Sequence, residues 1–262
     1  RHPGFKIEKL YLDCIDNQGN CFIIYRAKAE FYRMRFVYSA LIFSDAEGRT
    51  TERSTLRKRG TPATGDTIQF DHDFLKISAS LKRTGNPIIS TLFKVSEENE
   101  LIWDCHHPRA LADILYKGDI YKGLGYSETL FCPVKPWNLP IDELKWGRFL
   151  SDSSTVIWIS WQEKVPVNKI FYNGIEFNDA VFENDIIIFG DGAYMLAFSE
   201  KRIIREGKLS ELFSKMAFLK IFFNRRILNT IEIKYKARTS FTKDSVFVSG
   251  GWSIFEVVTW GK

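Results

Sequence analysis

Cysteine is scarce in this chain. Only Cys14, Cys21, Cys105 and Cys132 occur, and no pair has CxxC spacing. A chain of 262 residues buries a sufficient core without disulfide staples. The expectation is therefore free thiols in a reducing cytoplasm, with a Cys14–Cys21 bridge across a hairpin as the other reading. Long apolar runs are missing as well. No stretch reaches the roughly 20 apolar residues of a membrane-spanning helix, and Arg1-His2-Pro3-Gly4 has none of the features of a signal peptide. Charge of one sign is in slight excess only, 37 basic against 32 acidic residues, for a net charge of +5. The densest basic runs, residues 53–59 and 201–205, lack the interleaved rings of a nucleic-acid groove and read as solvated loops or strand ends. No GxGxxG opens a helix, and there is no P-loop, GxSxG elbow or HExxH. Nucleotide-dependent, serine-hydrolase and zinc-protease chemistries lose their usual sequence support.

Helical periodicity is nearly absent. Leu209, Leu212, Phe213, Met216 and Leu219 recur at helical spacing and predict one amphipathic helix over 208–219 that packs against a barrel.

Aromatic residues are abundant: 22 Phe, 10 Tyr and 7 Trp. Large rings favour pleated surfaces and line apolar pockets. Alternation of period two dominates. Cys21, Ile23, Tyr25, Ala27 and Ala29 oppose Arg26, Lys28 and Glu30. Ile231, Ile233, Tyr235 and Ala237 oppose Glu232, Lys234, Lys236 and Arg238. Both segments predict antiparallel strands with one wet face. Turn sequences at 16–20, 45–48, 173–174 and 190–192 separate many short strands, which predicts a barrel or sandwich rather than βαβ units. A proline-rich connection at 133–140 lies near the midpoint, so two domains are expected, 1–125 and 126–262.

Five segments are candidates for chemistry. In 121–132, a strand places Leu124, Tyr126, Glu128, Leu130 and Cys132 on one face and Gly123, Gly125, Ser127 and Thr129 on the other. Glu128 thus stands beside Tyr126 among apolar groups. Desolvation there raises a carboxyl pKa toward the range of a general acid, and a structural pairing with an arginine is the competing reading. The strand glycines signal a bulge or a close backbone approach. Trp137, fixed between two prolines, and Trp146 are candidates to wall a pocket. Arg148 is a candidate partner for Glu128, Asp142 or a ligand carboxylate. In 155–161 both faces are apolar, so the strand is expected to be covered on both sides, with Trp158 either a pocket wall or a core residue. At the C-terminus Trp252, Ile254, Glu256, Val258 and Trp260 share a face; Glu256 reads as an edge-strand residue facing water or as a second acid or base. Finally, 103–109 holds Asp104, Cys105, His106 and His107. Adjacent histidines on a strand point to opposite faces, which is poor geometry for one metal ion, although one of them could carry a proton. Asp71-His72-Asp73 is no better as a metal site.

The segments Gly123-Leu124-Gly125-Tyr126-Ser127-Glu128, Lys135-Pro136-Trp137 and Trp146-Gly147-Arg148-Phe149 resemble the lipocalin-like family of carotenoid 1,2-hydratase (hydroxyneurosporene synthase) and AttH-like proteins, to which fungal decalin-forming cyclases and tocopherol cyclase are distantly related in architecture. The family element Gly-Tyr-x-Asp-His is met by Gly125, Tyr126 and Glu128, with Thr129 in place of the histidine. The resemblance implies an all-β fold of two lipocalin-like (calycin) antiparallel β-barrel domains, and acid chemistry on an alkene without a cofactor or metal, with Tyr126 and Glu128 at the matching positions.

Two functions are expected. One is a cofactor-free cyclase, hydratase or isomerase acting on a polyene, isoprenoid or polyketide-like molecule of secondary metabolism. In it Glu128 donates a proton, Tyr126 orients it, and Trp137, Trp146, Arg148, Trp158, Trp252 and Glu256 contact the substrate. The other is a non-catalytic binder or carrier of a hydrophobic metabolite. Neither has nucleic acid as a partner.

Overall fold

The computed structural model describes residues 5–31, 34–57, 65–96, 99–162, 166–212 and 224–261. It is built almost wholly from antiparallel strands and divides into two compact units, residues 1–135 and 136–262. The division falls inside the proline-rich connection. A boundary at 125/126 would instead cut a continuous strand, Asp119–Cys132.

Unit 1 contains β1 (Phe5–Asp16), β2 (Cys21–Phe31), β3 (Met34–Ser44), β4 (Thr50–Thr55), β5 (Thr67–His72), β6 (Ile77–Arg83), β7 (Ile88–Ser96), β8 (Asn99–Tyr116) and β9 (Asp119–Cys132). Its sheet runs β4-β3-β2-β1-β9-β8-β6-β5, with β7 paired to β8. Hairpin turns join β1 to β2 and β3 to β4, as the Asn17–Asn20 and Asp45–Gly48 sequences predict; Gly19 and Gly48 hold positive φ there. One face carries the core, including Leu10 and Leu12 of β1, Phe22 and Ile24 of β2, Leu41 of β3, and Ile68 and Phe70 of β5.

Unit 2 contains a short 3-10 turn (Pro136–Asn138), β10 (Glu143–Leu150), β11 (Thr155–Gln162), β12 (Val167–Tyr172), β13 (Ile175–Phe177), β14 (Val181–Glu183), β15 (Ile186–Phe189), β16 (Tyr194–Lys208), α1 (Leu209–Leu212), α2 (Arg225–Leu228), β17 (Ile231–Lys243) and β18 (Val246–Thr259). Its sheet runs β13-β12-β11-β10-β18-β17-β16-β15-β14. The core is an aromatic cluster of Phe149, Trp158, Phe189, Phe241 and their neighbours. The ring of Trp158 lies over Gly147, where a Cβ would come within 2.4 Å of it.

Both sheets are lipocalin-like curled half-barrels. Among the described residues the first and last strands of each path are not joined by a ladder, so they are half-barrels rather than closed barrels. The expected helix is present only as α1; its continuation over 213–219 lies outside the described residues. All four cysteines are buried free thiols. The register explains why Cys14 and Cys21 are not bridged: Cys14 lies opposite Phe22 and Ile15 opposite Cys21, so the two thiols stand on opposite faces.

The largest departure from the sequence pattern is on β17. Glu232, Lys234 and Lys236, expected to face water, are buried, while Ile231 is exposed. β17 is an interior strand between β16 and β18, and its charged face is covered as well as the face that brings Ala237 and Phe241 to the core.

Candidate functional site

β9 sits between β1 and β8, with paired backbone on both sides. The faces follow the predicted alternation. Gly125, Ser127 and Thr129 lie opposite Cys14, Leu12 and Leu10 on the core side, whereas Tyr126 and Glu128 lie opposite Asp13 and Tyr11 on the other side. Gly123 permits the close approach: a Cβ there would meet the Ile15 carbonyl oxygen at 2.2 Å. Both glycines belong to close packing, and the bulges lie in the partner strand. Two irregularities, between Asp104 and His107 and between His107 and Ala110, each give β8 one residue more than β9.

Glu128 is 6% exposed although its face is not the core face of unit 1. Its Oε2 accepts the Trp103 Nε1–H at 2.5 Å and also the Tyr126 hydroxyl. Trp103, fully buried, reaches it because it stands opposite Leu130, two residues on from Glu128 and on the same face. Burial first, and then the neighbouring Cys105 and Glu128, push the Tyr126 phenol well above its ordinary pKa, so it remains a donor. Cys105 is likewise raised, by burial and by Glu128, and stays a thiol that donates to the Ser127 carbonyl at 3.7 Å. Tyr11 stands edge-on to Tyr126 at 5.9 Å and to Tyr25 at 5.4 Å. The result is a carboxyl with two donors on one oxygen, set among rings. Trp103 was missed as part of this group, because its contact with Glu128 is made across strands.

The remaining predicted residues are in unit 2, in a different setting. Trp146, Arg148, Trp252 and Glu256 share one face of β10 and β18, the face opposite the aromatic core. Arg148 is buried and donates to the Trp252 carbonyl at 3.1 Å. Asp142, one of its expected partners, is held by Arg226 at 3.3 Å. The Arg238 guanidinium stacks on Trp252 at 4.0 Å. Glu256 is no edge residue. β18 lies between β10 and β17, and Lys234 bridges Glu256 and Glu232, the latter at 2.9 Å. Trp158 is on the opposite face, packed with Phe198 and Phe255, which makes it a core residue apart from the Trp146 group. Trp137 is half-buried in the 3-10 turn, and its carbonyl accepts from Arg226.

His106 and His107 are also corrected. The bulge turns their rings together, with Nδ1 atoms 3.3 Å apart, instead of to opposite faces. His107 Nε2 meets the Asp66 carbonyl at 3.2 Å, an acceptor only, so it carries the proton. His106 must then donate from Nδ1 to His107 and accept from the Thr129 hydroxyl at Nε2, 3.1 Å away. Burial, His107 and Arg83 hold His106 down to about 4. The pair is neutral near pH 7. Among the described residues no group of three or more metal-ligating side chains occurs, and no helix is long and apolar enough to cross a membrane.

No protein-family model and no curated protein sequence matches the chain. Solved structures do. CghA, crystallised with Sch210972, is similar with a TM-score of 0.66 at 10% identity, over 99% of this chain and 89% of that one. A putative AttH of Nitrosomonas europaea gives 0.58 at 9% identity, over 98% and 93%. Kievitone hydratase of Nectria haematococca gives 0.57 at 8% identity, over 98% and 89%. At these identities the likeness establishes the fold: the chain has the two-unit, lipocalin-like all-β architecture of these proteins.

Proposed function

We propose that the chain is a cofactor-free enzyme that cyclises, hydrates or isomerises a hydrophobic small molecule, polyene, isoprenoid or polyketide-like, with Glu128 as its acid. The observation that carries this reading is the buried Glu128 carboxyl with the Tyr126 and Trp103 donors on a single oxygen. Two donors at Oε2 leave the acidic proton of a neutral carboxyl on Oε1. When that proton passes to a substrate carbon, the same donors are already placed to stabilise the carboxylate left behind, without reorganisation. Electron-rich faces nearby, Tyr11 and Tyr126, suit the carbocation that protonation of an alkene creates. The names of two similar structures, a hydratase and a protein crystallised with a small molecule, support the class of reaction.

The test begins with native mass spectrometry of freshly purified protein, to identify a hydrophobic molecule that is retained. Turnover and binding of that molecule are then compared in wild type and Glu128→Gln, which keeps the shape but removes the acidic proton. Turnover is expected to fall by about 10²–10⁴-fold with affinity little changed. Undiminished turnover in the variant sinks the acid role. A molecule that is bound tightly but transformed by neither protein identifies a carrier.

A further inference from the structure

The core side of the unit 1 sheet contains a charge that the proposed acid does not use. Arg26 follows Phe22 and Ile24 along one face of β2, directly opposite the core residue Leu10 of β1, yet it is only 6% exposed. Among the described residues it has no hydrogen bond and no ion pair, and its Nε–H is buried without a partner. Glu8, the carboxylate whose charge it feels, is bonded to Lys28 at 2.7 Å. Directly opposite Arg26 on β3 stands Ser39, fully buried, whose hydroxyl is also unpartnered. The third member is His72, which continues the core face of Ile68 and Phe70 on β5 and is 2% exposed. Its Nδ1 accepts the Leu75 N–H at 3.4 Å, so a neutral ring carries its proton on Nε2, and that nitrogen too is buried without a partner.

These groups converge. Arg53 lies opposite Leu41, in the row next to the Arg26–Ser39 pair, and reaches Phe74, two residues beyond His72; burial first, with smaller contributions from the charges of Arg26 and Arg57, holds His72 below its ordinary pKa. Arg53 and Arg57, on and just beyond β4, stack on Phe74 at 5.4 and 4.8 Å, close to the end of β5. An unpaired buried charge and two unpaired buried polar groups are each destabilising. All three can donate, and none of the three is answered by an acceptor. A ligand that answers them is an anion with several acceptor oxygens, and the groups beside them are apolar: Leu10, Ile24, Leu41 and Phe70.

We propose that the interior of unit 1 is a second binding site, on the opposite side of the sheet from Glu128, for a carboxylate with an apolar body, its oxygens held by Arg26, Ser39 and His72. This site is independent of the proposed acid chemistry.

The test is isothermal calorimetry on the full chain with three probes: octanoate, octanol and inorganic phosphate. Octanoate is expected to bind at one site. Octanol and phosphate are each expected to bind at least about tenfold more weakly, since a hydrogen bond to a charged group contributes that much. Arg26→Leu removes the unpaired charge, is expected to fold at least as stably as wild type, and brings octanoate down to the affinity of octanol. Glu128→Gln leaves octanoate binding unchanged, which separates this site from the acid. Equal affinity for octanoate and octanol, full octanoate affinity in Arg26→Leu, or phosphate binding as well as octanoate overturns the proposal. If Arg26→Leu does not fold, wild type decides. The ¹H–¹⁵N signal of the Arg26 Nε–H shifts on octanoate titration if the site is real, and stays in place if it is not.

Discussion

Tyr126 and Trp103 donate hydrogen bonds to the same oxygen of Glu128. Bonds to a charged or strongly polar buried acceptor each contribute about 1.5–3 kcal/mol, and two that share one acceptor do not add. Tyr126→Phe and Trp103→Phe are each expected to destabilise the chain by about 1–3 kcal/mol in urea unfolding. The double variant is expected to lose clearly less than the sum once Glu128 has also been changed to Gln. Strict additivity in both backgrounds would mean that the two donors act separately. At this scale the sequence was legible where the contact is local: period two alone places Glu128 beside Tyr126. Trp103 was not legible because its contact with Glu128 crosses strands, and the rings of His106 and His107 were not, because the bulges of β8 that aim them leave no mark in the residue pattern.

At the scale of the element, β17 shows how alternation fixes faces without saying which face is covered. Lys234 and Lys236 carry enough methylene stem to lie against apolar surface, and in Lys234 the charge is met by Glu232 and Glu256. A wet face and a face buried with its charges paired have the same sequence pattern. What distinguishes them is that β17 and β18 are interior strands, a long-range property. The reading of β11 succeeded because both of its faces are apolar, and such a strand fits only where both sides are covered. Lys234→Met tests the paired cluster. It leaves Glu256 without its partner in a half-buried position, and breaking a buried pair on one side costs about 3–5 kcal/mol. Lys234→Met combined with Glu256→Gln is expected to recover most of that loss in thermal unfolding, and failure to recover would mean that packing of the lysine stem, not charge, dominates.

At the scale of the whole molecule, the two-unit all-β architecture was legible from composition, turns and the proline-rich connection, while the position of the division was not, because β9 continues well past residue 125 as one strand. The division has a consequence for acid stability. All four histidines precede residue 108 and belong to unit 1. His106 is held down to about 4, and His72 and His107 are also lowered, each chiefly by burial. For such a group the unfolded chain binds more protons than the folded one at any pH between the two pKa values. Stability is therefore complete above the unfolded value of about 6.5 and declines as pH falls below it. Discounted for partial exposure, His106 alone removes about 1–2 kcal/mol by pH 5. Asp104 is raised by burial and works in the opposite sense, gaining stability as it protonates. The histidine effect is thus best read between pH 7 and 5.5, above the range in which carboxyls ordinarily titrate. Hydrogen exchange followed by mass spectrometry, corrected for the intrinsic pH dependence of the rate, is expected to show loss of protection in residues 65–132 and little change in residues 143–261. His106→Gln is expected to flatten that loss. Equal loosening of both units, or an unaltered response in the variant, would assign the acid response to groups other than the buried histidines.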